Sequence, residues 1–212
     1  HSFPTRRSSD LEKLNEAGVE VVGKIFAHDK ISDIVDAIKF AKKYSDLVIL
    51  SGGLGPTIDD LTKEAIAEYL KKDLVIDELH RKEMERKFSE RGIEVLSKNL
   101  KEVSVVTDSI VFYNEPGIAP AFYIDGISAF PGVPVELKNM FPKYLDYLKK
   151  EFGLNKKLII RDFIVWGIPE STLEEKIIGY FNDQKVFLEF LVKDYVIIVR
   201  IVNYKNNKEL IE

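Results

Sequence analysis

Cysteine is absent from all 212 residues of the chain. Its absence excludes disulfides, thiolate zinc sites and a cysteine nucleophile. No apolar run approaches the ~20 residues that a membrane-spanning helix requires, so a soluble protein with no membrane partner is expected. Excess positive charge is missing as well. The 31 Lys and Arg residues face 35 Asp and Glu, for a net charge of −4 and a pI near 5.6. Broad nucleic-acid binding needs a basic surface, so nucleic acid is not an expected partner. A cysteine-free composition fits a reducing compartment, and the expected location is the cytoplasm.

What is present suffices for a packed fold. Hydrophobic residues make up 45% of the sequence, and a chain of this length buries roughly 70% of its unfolded surface without help from metal or disulfide. One full domain and a second small one are expected. Residues 1–11, HSFPTRRSSDL, resemble the conceptual translation of a sequencing-adapter oligonucleotide and are set apart from the fold as non-native. Residues 12–17 read as the last turns of a helix closed by Gly18. A helix that starts in mid-pattern implies that an upstream strand has been lost.

Residues 12–150 alternate strand and helix signals. Val19–Ala27 is predicted as a strand, Ile31–Ala41 as a helix, and Asp46–Leu50 as a strand buried on both faces. A helix over 61–70 follows, then a long charged helix over 77–97, which suits a solvated face or contact with a partner subunit. Short strands are expected at 103–106, 110–113, 121–124 and 127–130, before a helix over 135–150. This pattern predicts an α/β fold, a mostly parallel sheet flanked by helices. After a short linker at 151–156, residues 156–212 predict a small α+β unit. Its strands are expected at 157–166, 186–192 and 195–202. Its helix is expected over 171–180, opened by a capping box at Ser171–Glu174.

The segment Ser51-Gly52-Gly53-Leu54-Gly55-Pro56-Thr57-Ile58-Asp59-Asp60-Leu61-Thr62 joins a buried strand to a helix. Glycines there let the backbone approach a ligand, and the helix N-terminus favours an anion such as phosphate. The loop falls beyond the carboxyl end of a strand, where open α/β sheets bind ligands. Asp59 and Asp60 lie beside that anion site, which makes sense if a divalent cation bridges them to phosphate. Equally, either one caps the helix. Asp29 ends the preceding predicted strand and is placed on the same sheet edge, with capping of the next helix as the competing role.

The run Gly52–Thr57 with Asp59-Asp60-Leu61-Thr62 resembles the signature of the MogA/MoaB-like molybdopterin-binding fold in its CinA version. Pro131-Gly132-Val133-Pro134-Val135-Glu136 is similar to that family's turn before its closing helix. Gly167-Ile168-Pro169-Glu170-Ser171 resembles the start of the KH-like middle domain of CinA proteins. By this resemblance, 12–150 is a molybdopterin-binding-like domain lacking its first strand. Likewise, 156–212 is a KH-like domain truncated at its C-terminus.

The resemblance implies metal-dependent hydrolysis of ADP-ribose or a related nucleotide, with Mg, Mn or Co as the cation and a homodimer as the assembly. The alternatives are pterin-phosphate binding with adenylyl transfer, as in molybdenum-cofactor biosynthesis, and a non-catalytic ligand-binding or dimerisation module. Asp60 and Asp29 match the family's catalytic and metal-holding positions. Gly52, Gly53, Gly55, Thr57, Asp59, Pro131, Gly132 and Glu136 match its phosphate- and nucleotide-binding positions. Where the family tends to read Gly-Thr-Ala-Pro-Gly, this chain has Gly117-Ile118-Ala119-Pro120-Ala121. The family's opening Gly-Thr-Glu loop and its C-terminal amidase domain have no counterpart, so no deamidase activity is expected. A Gly-x-x-Gly loop is lacking too, which removes the usual RNA clamp of a KH unit.

Overall fold

Apolar residues at helical spacing make Ile31–Ala41 helix α1, which buries Ile34, Val35 and Ile38. The computed structural model describes residues 14, 19, 21–153, 159–181, 186–193 and 195–203. After α1 come β1 (Val48–Ser51), α2 (Thr62–Leu70), β2 (Leu74–Ile76), α3 (Glu78–Glu90) and α4 (Asn99–Glu102). Then follow β3 (Ser104–Val106), β4 (Ile110–Phe112), β5 (Ala121–Ile124), β6 (Ile127–Phe130) and α5 (Pro134–Phe152). Residues 22–146 form one compact unit.

The α/β architecture is the expected one, a central sheet flanked by helices. Its strand order is β1-β6-β5-β4, with β2 and β3 forming a separate antiparallel pair. The sheet is more mixed than the sequence predicts. Among the described strands β1 pairs with β6 in parallel, whereas β6–β5 and β5–β4 are antiparallel. Asp125 and Gly126 both have positive φ, the backbone that a two-residue hairpin demands, and this forces β5 against β6. Ile34, Ile38, Ala65, Ile66, Phe122, Ile127 and Ala129 belong to one buried cluster. Phe130, Phe141 and Tyr144 stack edge-on and tilted nearby. The Ser128 hydroxyl donates to Tyr144 Oη at 2.6 Å, satisfying a polar pair inside the core.

Several local expectations need correction. Residues 21–28 form no strand, and Val22, Ile25 and Phe26 are exposed. A strand needs a neighbour for its ladder, and no described residue supplies one there. For the same reason β1 is half-buried rather than covered on both faces, since it stands at an edge of the described sheet. The long charged helix stops at Glu90, because the chain turns at Gly92 with φ of 66°. Its charges pair along its own surface: Arg81 with Glu78 and Glu85, Arg86 with Glu83 and Glu90. Strand β2 was not foreseen. Only three residues long, it is recruited by pairing with β3.

The remaining described elements are β7 (Ile159–Val165), α6 (Glu170–Ile178), β8 (Val186–Lys193) and β9 (Val196–Asn203). These strands make an antiparallel sheet in the order β7-β9-β8. Leu173 packs on Ile197, Val199 and Ile201, and Arg200 grips the cross-strand Asp162 through two bonds of 2.6 and 2.7 Å. The predicted capping box is not formed. Helix α6 begins earlier, with Pro169 as its N-cap and no side-chain cap bond, which leaves Ser171 inside the first turn. The readings for residues 1–13 and 15–18 lie outside the described residues. So do residues 154–156 of the predicted linker, whose first residues continue α5. Among the described residues no helix is long and apolar enough to cross a membrane.

Candidate functional site

Parallel pairing of β1 with β6 sends both strands off the same sheet edge, so the loops after them emerge side by side. The Gly52 N–H extends the ladder by donating to the Phe130 carbonyl at 2.9 Å. A Cβ at Gly132 would sit 3.3 Å from the Gly52 Cα. Two motifs eighty residues apart in the sequence are thus in contact. Gly52 and Gly53 have φ of 98° and 69°, a backbone that favours glycine. The Thr62 hydroxyl donates to the Gly52 carbonyl at 2.8 Å, and the Thr62 N–H donates to the Gly53 carbonyl at 3.1 Å. A side chain on Gly53 would collide with that hydroxyl.

Asp60 does not cap α2, whose N-cap is Leu61 with no side-chain bond. Its carboxylate reaches back into the loop. Oδ2 accepts the Thr57 N–H at 3.0 Å and the Thr57 hydroxyl at 2.6 Å, and the carboxyl lies against Gly55, filling the space a side chain there would take. Partial burial raises the Asp60 pKa, but the Thr57 bonds, the Gly55 backbone and the charge of Lys101 outweigh it. The carboxyl is held below its ordinary value of 3.8. Thr57 therefore spends its N–H and hydroxyl on Asp60. Asp59 is exposed at the tip of the loop, and Asp29 is exposed in the bend before α1, whose N-cap is Lys30. Neither aspartate caps its helix. Because 21–28 is not a strand, Asp29 does not stand at a strand end as the sequence reading placed it.

Two lysines hold the loop from beneath. Lys63, in the first turn of α2, is 1% exposed. Its Nζ donates to the Leu54 carbonyl at 3.0 Å and to the Lys101 carbonyl. Burial lowers its pKa from 10.5 to about 8, against the opposing pull of Glu64, Glu102 and Asp60. Lys101 Nζ donates to the Thr57 carbonyl at 2.9 Å and pairs with Glu64 at 3.2 Å. Glu102 is raised by burial, opposed by Lys63 and reinforced by Glu136 and Asp60.

Glu136 lies in the first turn of α5, where its carboxylate accepts from Asn114 Nδ2 at 2.8 Å. Asn114 is buried. Its Nδ2 also donates to the Ala119 carbonyl at 2.7 Å, and its Oδ1 accepts the Gly117 N–H at 3.0 Å. Its own N–H donates to His80 Nε2 at 3.3 Å, and His80 Nδ1 faces Asp77 at 2.7 Å. Lys87 closes on the Glu115 and Gly117 carbonyls. Glu136 occupies the space where a Gly117 side chain would stand. Ala121 is fully buried as the first residue of β5, so its extra methyl packs in the core.

The structure thus brings Gly52 to Gly132, Gly53 to Thr62, Gly55 and Thr57 to Asp60, and Glu136 to Gly117. Sequence reasoning missed Lys63, Lys101, Glu102, Asn114 and the buried His80. Among the described residues no three or more His, Asp or Glu side chains form a metal cage. Magnesium-type cations are commonly held by one or two carboxylates together with substrate phosphates. Such a cation would meet the carboxylate of Asp60 here, whose Oδ2 already accepts two bonds from Thr57.

Residues 11–150 match the family described as "Probable molybdopterin binding domain". The chain is 48% identical over 199 residues to a "CinA-like protein" of Fusobacterium nucleatum, a match covering 93% of this chain and 49% of that protein. It is 33% identical to a "Putative competence-damage inducible protein" of Caldicellulosiruptor saccharolyticus, again over 93% of this chain and 49% of the other. The chain spans about half the length of the curated relatives it matches. The crystal structure of the protein CinA, of unknown function, from Thermoplasma acidophilum superposes with a TM-score of 0.57 at 30% identity. That superposition covers 71% of this chain and 88% of the other. With glycine loop, Pro-Gly turn and α/β sheet arranged as described, the chain belongs to the probable molybdopterin binding domain family, in its CinA branch.

Proposed function

We propose that the chain acts as a metal-dependent nucleotide pyrophosphatase on ADP-ribose or a close relative. One observation carries the reading: the glycine loop meets the Pro-Gly turn at Gly52 and Gly132, and the same loop holds the ionised carboxylate of Asp60 at Gly55 and Thr57. Backbone that close and free of side chains suits a pyrophosphate, and the N-terminus of α2 adds partial positive charge. Asp60 would hold the divalent cation through a carboxylate oxygen; Asp29, which the resemblance makes second ligand or base for the water, would reach it from the bend before α1. When bound, Mg, Mn or Co supplies neutralisation of the pyrophosphate charge and acidifies a water. Water attacks one phosphorus, the bond to the bridging oxygen breaks, and AMP and ribose 5-phosphate leave. The water's proton passes to the base. Gly52, Gly53, Gly55 and Gly132 give the phosphates close approach to the backbone. Thr57 fixes Asp60 and Pro131 sets the turn, while Asp59 and Glu136 would contact the nucleotide at the positions the resemblance implies.

The test is AMP release from ADP-ribose with Mg, Mn or Co, with Asp60→Asn alongside. A metal requirement and a fall of at least about 100-fold in the variant are expected. Undiminished metal-dependent turnover by Asp60→Asn would overturn the assignment. The family's description as a probable molybdopterin binding domain favours a second reading, binding of a pterin phosphate at the same loop; adenylyl transfer would be its chemistry by the resemblance. Folded protein that binds a pterin phosphate but leaves ADP-ribose intact would select it.

A further inference from the structure

Lys63 is buried where a lysine is costly, and nothing in the reaction as proposed uses it. Its two acceptors are both main-chain carbonyls, Leu54 in the glycine loop and Lys101 at α4. Each bond leads to the same carboxylate. The Leu54 carbonyl and the Gly55 N–H are the two ends of one peptide unit. The ammonium sits on the first, and the Asp60 carboxyl lies against Gly55, within 2.5 Å of where a Cβ would stand. The peptide plane is rigid, so fixing its carbonyl fixes the direction of its N–H. A cation on the carbonyl also polarises the unit and makes its N–H a better donor. On the second route, Lys63 anchors the Lys101 carbonyl, while Lys101 Nζ holds the Thr57 carbonyl. Thr57 in turn gives its N–H and hydroxyl to Asp60.

We propose that Lys63 is a positioning residue of the site, orienting the Leu54–Gly55 peptide and the Lys101–Thr57 link so that both converge on the carboxylate of Asp60. The inference rests on the reading of this loop as the pyrophosphate site. A solvated lysine at this helix position would leave the loop free to turn its carbonyl outward, toward the space the phosphates need. The drawn-in carbonyl keeps that face clear of a competing negative dipole. The charged groups that bear on Asp60 are Lys63, Lys101 and Glu102, with Glu136 acting on Glu102.

The experiment uses the full chain labelled with ¹³C and ¹⁵N, as wild type, Lys63→Met, Lys63→Arg and the exposed control Lys39→Met. The Asp60 carboxyl is titrated by NMR, and turnover of ADP-ribose with Mn²⁺ is measured in parallel. In Lys63→Met the Asp60 midpoint is expected to rise by about one pH unit and kcat to fall about 10-fold. Lys63→Arg is expected to recover at least half of the shift, and Lys39→Met to match wild type. An Asp60 midpoint unmoved in folded Lys63→Met overturns the proposal. Should that variant not fold, wild type decides. The Gly55 amide resonance is expected to move with the titration of Lys63, near pH 8, and a resonance indifferent to that titration overturns it equally. The NMR arm judges Lys63 even if wild type leaves ADP-ribose intact, an outcome that would fall on the pyrophosphatase reading alone.

Discussion

Thr57 and Asp60 close on one another: the threonine's hydroxyl and its backbone N–H both donate to the same carboxylate oxygen, at 2.6 and 3.0 Å. The pair turns four residues into a rigid corner just ahead of α2, and it keeps Asp60 charged without a cap bond to the helix. A residue type commonly read as a phosphate donor is here the carboxylate's own anchor.

Replacing Thr57 by Val keeps the N–H and removes the hydroxyl. The Asp60 carboxyl is then expected to titrate nearer its ordinary 3.8. Its folded-state pKa is depressed in wild type, so its stabilisation is full above the unfolded value. That stabilisation is lost as pH falls through the lower folded value. Thr57→Val is expected to lose about 1 kcal/mol or less at neutral pH, since the group is partly solvated. The difference from wild type is expected to vanish in strong acid. Urea unfolding across the acid range checks both statements.

The glycines of the site predict a graded series. Alanine at Gly53 meets the Thr62 hydroxyl and a φ of 69° together, and is expected to destabilise by roughly 1–3 kcal/mol. Gly132 has no strained φ, and its added Cβ would meet the Gly52 Cα at 3.3 Å and the Gly52 N at 3.8 Å. Gly132→Ala is therefore expected to cost less than about 1 kcal/mol while still crowding the ligand's approach. Thermal unfolding and AMP release, measured on both variants, separate the two effects. Equal stability losses would contradict the geometry.

Lys63 predicts an alkaline gain in stability. Its folded pKa is lowered to about 8 from 10.5. Between those values the unfolded chain binds the proton and the folded chain does not. Stability attributable to this group is therefore flat below pH 8, rises up to 10.5 and is flat beyond. The full rise is about 3 kcal/mol on this basis. Lys63→Met is expected to remove it. Parallel denaturant curves for wild type and variant through that range would show the difference, and identical slopes against pH would refute it.

How much of this was legible in advance follows from the range of the interactions. The glycine loop, its strand and its helix are local in sequence, so Gly52, Gly53 and Asp60 stood out at once. The meeting of Gly52 with Gly132 could be expected only through the resemblance, since it depends on the β1–β6 pairing. Lys63 reads as one more solvated charge between Thr62 and Glu64. It is buried because α4, thirty-eight residues on, lies over it. His80 was hidden in the same way within a run of charges that pair mostly among themselves. The helix end at Gly92 was visible as a glycine, yet flanking charged residues favoured continuation. The described part of the strand foreseen at 19–27, residues 21–27, shows that β-rich composition without a ladder partner does not make a strand.

Asn114 gives the sharpest prediction because it is buried and its side chain has no idle atom. Its amide nitrogen serves the Ala119 carbonyl and Glu136, and its carbonyl oxygen serves the Gly117 N–H. Asn114→Ala leaves those partners unsatisfied and is expected to cost about 2–4 kcal/mol. Asn114→Asp preserves shape but puts an oxygen where two acceptors already point, one of them the carboxylate of Glu136. At neutral pH the aspartate is expected to be the more destabilising change. As pH falls, protonation of one carboxyl restores a donor between them, so the aspartate variant is expected to recover ground on the alanine variant. Chemical denaturation of both at neutral and mildly acidic pH decides it. An aspartate variant that stays the less stable in acid by the same margin would mean that Glu136 is not held by Asn114 in solution.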